Sequence, residues 1–284
     1  MGNRRDEILS HLSEIPSLPT SAIEVIRLVQ TPDSSMGEIM AAIEYDPALT
    51  AEVLRLANSA YFAGPRSIAT LREAGVLFGT ARIMQLVMAA AVFPLARKPL
   101  RGYDLPAGRL LDHLAAVAVG AEKLAAELGE PVPTHTFTAG LLHDIGKIAL
   151  GTFVEVDVEP IQRFALEEQV AFEKAEYAVL GIDHAEVGAE LLRLWNLPPE
   201  IVDAVRWHQD PDEQGAGNLV IDLVHVADML SIECGLGVGV DGLRYRPSEA
   251  VSTRRRLNAR LLEQVTSAML SEFQQITQSE AAGG

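Results

Sequence analysis

Hydrophobic positions recur at helical rather than alternating spacing along nearly the whole chain. Ile23, Ile26, Arg27 and Gln30 fall three and four apart, and Val25 and Leu28 widen the apolar face. Ser35-Met36-Gly37-Glu38 forms a capping-box pattern ahead of Ile39, Met40 and Ile43. Asp46-Pro47 sets a capping carboxylate before a proline suited to a first helical turn; Leu49, Val53, Leu56, Ala57 and Ala60 continue that helix. Gly64-Pro65 breaks it, and two more helices are predicted over 68–75 and 80–93.

The stretch 94–106 holds three prolines and a glycine and reads as a joint between two helical lobes. This gives a lead-in over 1–15, an N-terminal lobe over 16–97, a second lobe over 98–234, and a loop, helix and tail over 235–284. Within that last part, 235–241 is a glycine-rich loop, 252–276 an amphipathic helix, and 279–284 a polar tail expected to be disordered. One segment resists: Val154, Val156 and Val158 alternate with acids. No second strand is evident to pair with it, so 152–158 is expected to be an irregular connection. The predicted class is all-α and two-lobed.

Composition narrows the possible partners. The 284 residues carry 39 acids against 23 Lys and Arg, a formal net charge of −16, which disfavours nucleic acid. The one basic run, Arg254-Arg255-Arg256, is expected to be a solvated helix face. No run approaches the roughly 20 apolar residues of a membrane span. Residues 1–10 lack a signal-peptide core, and a single cysteine, Cys234, excludes an internal disulfide. A cytoplasmic protein, with no membrane partner, is expected.

The chemistry lies in four of seven histidines, each on the apolar stripe of a predicted helix. His113 falls among Leu110, Leu114, Val117, Ala121 and Leu124. His184 aligns with Gly188, Leu191 and Trp195, and His208 with Ile201 and Val205. Asp144, next to His143, aligns with Phe137, Leu141 and Ile148; Asp228 aligns with Ile221 and Val224. A buried carboxylate must be paired, protonated or metal-bound. Shared coordination of a divalent metal ion by these nitrogens and oxygens is one solution, and a hydrogen-bond network without metal is the other. His143 and Asp144, read as neighbours on a helix about 100° apart, could grip one ion from one side. Lys147 is either a surface lysine or a cation for a phosphate oxygen.

His113, His143-Asp144 and Asp228 resemble the H…HD…D signature of the HD phosphohydrolase superfamily, and Gly140-Leu141-Leu142-His143-Asp144-Ile145-Gly146-Lys147 is similar to its central motif. His184 and His208 resemble the additional histidines of HD-GYP phosphodiesterases. Two departures stand out: Gln209-Asp210-Pro211 replaces Gly-Tyr-Pro, and Trp207 stands where those enzymes carry histidine. Leu18-Pro19, Asp46-Pro47-Ala48-Leu49-Thr50, Leu54-Arg55-Leu56-Ala57-Asn58-Ser59-Ala60 and Trp195-Asn196-Leu197-Pro198 look like HDOD domains, a likeness covering about residues 12–233.

The resemblance implies a bacterial signalling output module. It also implies a site of His113, His143, Asp144 and Asp228, with His184 and His208 as outer ligands or ligands of a second ion. Iron, manganese, nickel, zinc or magnesium would suit it. The module would present a surface to a signalling protein partner, with Asn58, Tyr61 and Phe62 as candidates against ordinary helix packing. The alternative is a metal-dependent phosphohydrolase of nucleotides or cyclic dinucleotides, with Asp144, Lys147 and His184 as its catalytic residues and a small phosphate-containing ligand. A third reading is a scaffold with an inert cluster. The last helix either drives a homodimer or caps the second lobe.

Overall fold

Alanine- and leucine-rich stretches favour helix intrinsically, and their apolar stripes are buried against one another. In the computed structural model, which describes residues 2–15, 18–63, 67–213, 217–242 and 247–281, these stretches become helices; no strand occurs among the described residues. The order is α1 (Gly2–His11), α2 (Thr20–Gln30), α3 (Met36–Glu44), α4 (Pro47–Ala57), α5 (Ala60–Ala63), α6 (Leu71–Ala96), α7 (Arg109–Glu127), α8 (Thr136–Leu142), α9 (Gly146–Glu167), α10 (Phe172–Leu180), α11 (His184–Leu194), α12 (Pro199–Trp207), α13 (Leu219–Glu233), α14 (Glu249–Arg254) and α15 (Ala259–Ala281).

The expected caps form. Ser35 accepts from the Glu38 amide while the Glu38 carboxylate accepts from that of Ser35. Asp46 accepts from the Ala48 and Leu49 amides, with Pro47 in the first turn. Gly79, at φ +67°, kinks α6, so the two helices predicted around it are arms of one element. The second arm runs through Pro94 to Ala96, and the inter-helix joint therefore starts later than expected, at Arg97. By length and composition α6 could cross a membrane, with hydropathy 1.8 over its best window, but 61% of that window is buried within the protein. It is surrounded by α2, α3 and α4, which pack against it.

The second half is organised on α7, which contacts α8, α13 and α15; α11 lies on α9 and α12. The lead-in helix α1 packs on this half: Arg4 pairs with Asp157 and covers the Phe153 ring, and Arg5 pairs with Glu186. α15 buries Val265, Met269, Phe273 and Ile276 against α7, α4 and α5, so its apolar stripe is used within the chain.

Four expectations need correction. Residues 152–158 are helical, inside α9. Val154 is buried while Val156 is 73% exposed, so the valine–acid alternation does not correspond to two faces of a strand. The irregularity that is present, at Asp157 (φ −106°, ψ 16°), precedes Pro160, whose ring crowds the carbonyl four residues back. The basic run is not a solvated face: Arg254 and Arg255 both donate to the buried Asp222 carboxylate. The run also ends a short helix, with Arg256 left-handed at φ 54°, so the expected 252–276 helix divides into α14 and α15. α15 continues to Ala281, making the first residues of the expected tail helical. Residues 282–284 and Gly64-Pro65 lie outside the described residues.

Candidate metal centre

All six residues expected to share a site converge, each no more than 2% exposed. His113 projects from α7 and Asp228 from α13. His184 opens α11 behind its capping residue Asp183, and His208 follows the last turn of α12. His143 and Asp144 lie in the turn between α8 and α9 rather than in one continuous helix. The turn directs both side chains into the cluster. The crossing of α9 over α11 depends on Gly146, where a Cβ would stand 1.9 Å from the His184 carbonyl oxygen and 2.6 Å from the Gly188 nitrogen. That crossing brings His184 beside Asp144.

The donor atoms form a tight set. The Nε2 atoms of His113 and His143 are 3.1 Å apart. His113 Nε2 is 3.3 Å from Asp144 Oδ2 and 3.2 Å from Asp228 Oδ1. His143 Nε2 is 3.4 and 3.6 Å from the same two oxygens. Asp144 Oδ1 faces His184 Nε2 at 3.3 Å and His208 Nε2 at 3.7 Å. The other ring nitrogens are committed: His143 Nδ1 to the Gly140 carbonyl (2.8 Å), His208 Nδ1 to the Val205 carbonyl (2.8 Å), His113 Nδ1 to the Ser231 hydroxyl (3.0 Å) and His184 Nδ1 to Glu176 (2.7 Å). Nδ1 anchored outside and Nε2 turned inward is the arrangement that orients metal-ligating histidines.

The electrostatics set carboxylates against imidazoles and one ammonium. Asp144, Asp228, Glu176 and Asp241 contribute four carboxylates to this region, and Lys147 is its ammonium. Burial opposes ionisation of Asp144, yet Lys147 and His143 hold its carboxyl well below the usual range. Burial likewise disfavours charged Asp228, and the nearby His113 and His143 imidazoles override it. For His143, burial is outweighed by Asp144 and Asp228, and its pKa rises. His208 goes the other way: burial and the neighbouring His143 push it down to about 3, leaving a neutral imidazole.

A divalent ion fits this donor set. Ligand atoms about 2.1 Å from one ion are separated by roughly 3.0–3.5 Å when adjacent; the close contacts described above run from 3.1 to 3.7 Å. Three inward atoms, Asp144 Oδ1, Asp228 Oδ1 and His208 Nε2, are buried without a hydrogen-bond partner. Two triads, His113–His143–Asp228 and His143–Asp144–His208, each bring one ligand atom per residue within 4.8 Å of the others. A positive ion would satisfy the orphaned atoms.

Lys147 is not a surface lysine. It is 5% exposed, and its Nζ lies 2.5 Å from both Asp144 Oδ2 and Asp241 Oδ2. Tyr61 and Phe62 also turn inward: Tyr61 donates to Glu122 and stacks on Phe137, which Phe62 meets edge-on. Asn58 holds the chain at Ile68, donating to its carbonyl and accepting from its amide.

Several members were not read from the sequence. Glu176 orients His184 and accepts from Tyr103 at 2.6 Å. It stands four residues from both Phe172 and Leu180, so the offset that identifies His113 would have found it. Gln209 contacts His184 Nε2 at 2.8 Å. Asp241 lies in a glycine-rich loop without periodicity and gives no signal.

A family model described as the HDOD domain matches residues 15–211. An uncharacterised protein of Treponema pallidum (strain Nichols) is 25% identical over 204 residues, which are 72% of this chain and 39% of that protein. The chain thus spans about two fifths of that relative's length. A solved structure of a protein named as a candidate phosphohydrolase from Shewanella amazonensis SB2B is 25% identical, with TM-score 0.73 over 96% of this chain and 97% of its own. A protein named as a candidate signal transduction protein from Marinobacter aquaeolei VT8 shares the fold at 23% identity, with TM-score 0.74 over 98% of this chain and 65% of its own. The family match takes in well over half of the sequence and every cluster residue except Asp228, and the chain belongs to the HDOD domain family.

Proposed function

We propose that the chain is a regulatory output module of bacterial signal transduction whose His/Asp cluster holds a divalent metal ion. The carrying observation is that the cluster is at once ligand-ready and sealed. Three of its inward ligand atoms lack partners, while none of its six residues exceeds 2% exposure. A catalytic centre must admit substrate; a structural or sensing centre need not. The signal-transduction name of the Marinobacter relative supports this reading at the level of fold.

His113, His143, Asp144, His208 and Asp228 would hold the ion, with His184 beside Asp144 as an outer member. Three imidazoles favour a first-row transition metal such as iron, manganese, nickel or zinc over magnesium. The test is elemental analysis of purified protein, followed by thermal unfolding with and without chelator. Co-purifying metal and a chelator-sensitive melting temperature support the reading; no metal and no change defeat it.

A phosphohydrolase is the second reading, favoured by Lys147 beside Asp144 and by the Shewanella relative's name. When bound, a divalent ion supplies Lewis acidity toward a phosphoryl oxygen. Asp144 would anchor the reaction centre, His184, held by Glu176, would manage a proton at Nε2, and Lys147 would bind a phosphate oxygen. A panel of nucleotides and cyclic dinucleotides with added manganese, iron, nickel or magnesium decides it. Hydrolysis lost in Asp144→Ala favours the enzyme, and silence across the panel favours the module.

A further inference from the structure

The seal over the cluster is local. After α13 the chain passes through Gly235, Leu236, Gly237, Val238, Gly239 and Val240 to Asp241, and this strap lies directly on the site. Gly237 is left-handed at φ +67°, and a Cβ there would stand 2.4 Å from that of His113. A Cβ at Gly239 would stand 1.9 Å from the Tyr103 carbonyl oxygen. Gly237 is buried, whereas the next residue, Val238, is 40% exposed. One layer of backbone therefore separates His113 from solvent.

The strap's attachments are uneven. Its start is tied by the Gly235 amide to the Ile232 carbonyl, the Leu236 amide to the Ser231 carbonyl, and Arg109 to the Gly235 carbonyl. Farther along, it is held by glycine packing, by Val240 against the core, by contact with α10 and by the Asp241–Lys147 ion pair. Of the two acids on Lys147, Asp144 belongs to the cluster, while Asp241 arrives from outside it. The fit of Asp241 is incomplete: Oδ2 meets the ammonium at 2.5 Å, but Oδ1 is buried without a partner. A buried carboxylate satisfied at one oxygen only, on a segment one layer thick, is a replaceable occupant.

We infer that the strap 235–241 is an internal plug: its Asp241 carboxylate occupies a binding subsite at Lys147 for an oxyanion, carboxylate or phosphate, borne by a small ligand, and such a ligand displaces the strap. An ammonium in a dry site is a point-charge receptor for either anion. The inference deepens the sensing reading, because it names what the sealed cluster responds to, and it rests on that reading for its signalling meaning.

The test uses the full chain with its metal content recorded. Inorganic phosphate and acetate binding is measured by calorimetry, and amide hydrogen exchange is followed in the peptide spanning the strap. Asp241→Ala, with Asp241→Asn as the same-size variant should the first fail to fold, is expected to speed strap exchange at least tenfold. It is also expected to tighten binding of one of the two anions at least tenfold, and adding Lys147→Gln should abolish that gain. Unchanged strap exchange in both Asp241 variants overturns the plug. So does faster exchange with no gain for either anion, or a gain that survives loss of Lys147. A Lys147-dependent gain in protein that binds no metal keeps the plug and removes the metal reading; bound metal without the gain does the reverse.

Discussion

Two polar networks in this molecule, one half-buried and one fully buried, are finished differently. Where α5, α6 and α7 meet, Arg82 donates to Gln85 and to both Glu122 oxygens, Gln85 donates to Glu122, and Tyr61 donates to Glu122 at 2.6 Å. The guanidinium also lies 5.1 Å over Tyr61 and 5.0 Å over Phe62. Donors and acceptors match there, and the network joins two parts of the fold. The His/Asp cluster instead leaves Asp144 Oδ1, Asp228 Oδ1 and His208 Nε2 without partners, distributed over two triads that share His143. A polar network that stabilises a fold is closed; one that awaits a ligand has its open valences aligned.

The largest test of this contrast is Asp144→Ala. It removes the acid shared by Lys147 and four histidines, and should cost about 3–5 kcal/mol in denaturant unfolding, the usual penalty for stranding buried charge. Metal content should fall with it; wild-type stability would show that the cluster is not the charge centre described. Next in size is ion binding. At a free concentration about a hundredfold above Kd, a ligand specific for the native state stabilises by about 2.7 kcal/mol, which for a chain of this size raises Tm by about 5–10 °C. Chelator should reverse the shift.

Glu122→Gln should cost less, about 1–2 kcal/mol, by leaving half-buried donors without their charged acceptor. The sharper readout is what stays the same: metal content and the ion-induced Tm shift should match wild type. If they fall, the two networks are coupled and the contrast fails. The smallest effect belongs to a residue outside both groups. Asp46→Ala should cost about 1 kcal/mol, as capping losses do. Asp46 titrates below its ordinary value because the Leu49 amide and the Ser21 hydroxyl hold its charge. Its contribution is therefore present above the unfolded carboxylate pKa of about 4 and fades as pH falls through the lower folded value. The variant and wild type should converge in acid.

Helical offsets place His113, His184, His208 and Asp228 on inward faces, because burying one stripe per helix is what holds an all-α fold together; Asp144 turns inward too, but from a turn that the offsets read as helix. Glu176 obeys the same offset but passes for a solvated acid on an amphipathic helix. Arg254 and Arg255 are a harder case, since their partner, the buried Asp222, lies 32 and 33 residues earlier and nothing local announces it. Residues 152–158 mislead because β-branched residues alternate with acids there, while packing on the neighbouring helices decides for helix. Asp241 is invisible in principle: a loop residue's inward turn is set by tertiary contacts, not by period.

The last described helix has a consequence for how the chain is made. α15 lies against α4 and α5 from the first half and α7 from the second, so the seam between the halves gains its cover only once the α15 segment has left the ribosome. Until then the apolar walls that receive Val265, Met269 and Phe273 stand open, and a nascent chain stalled short of this helix would expose a sticky furrow to chaperones and proteases.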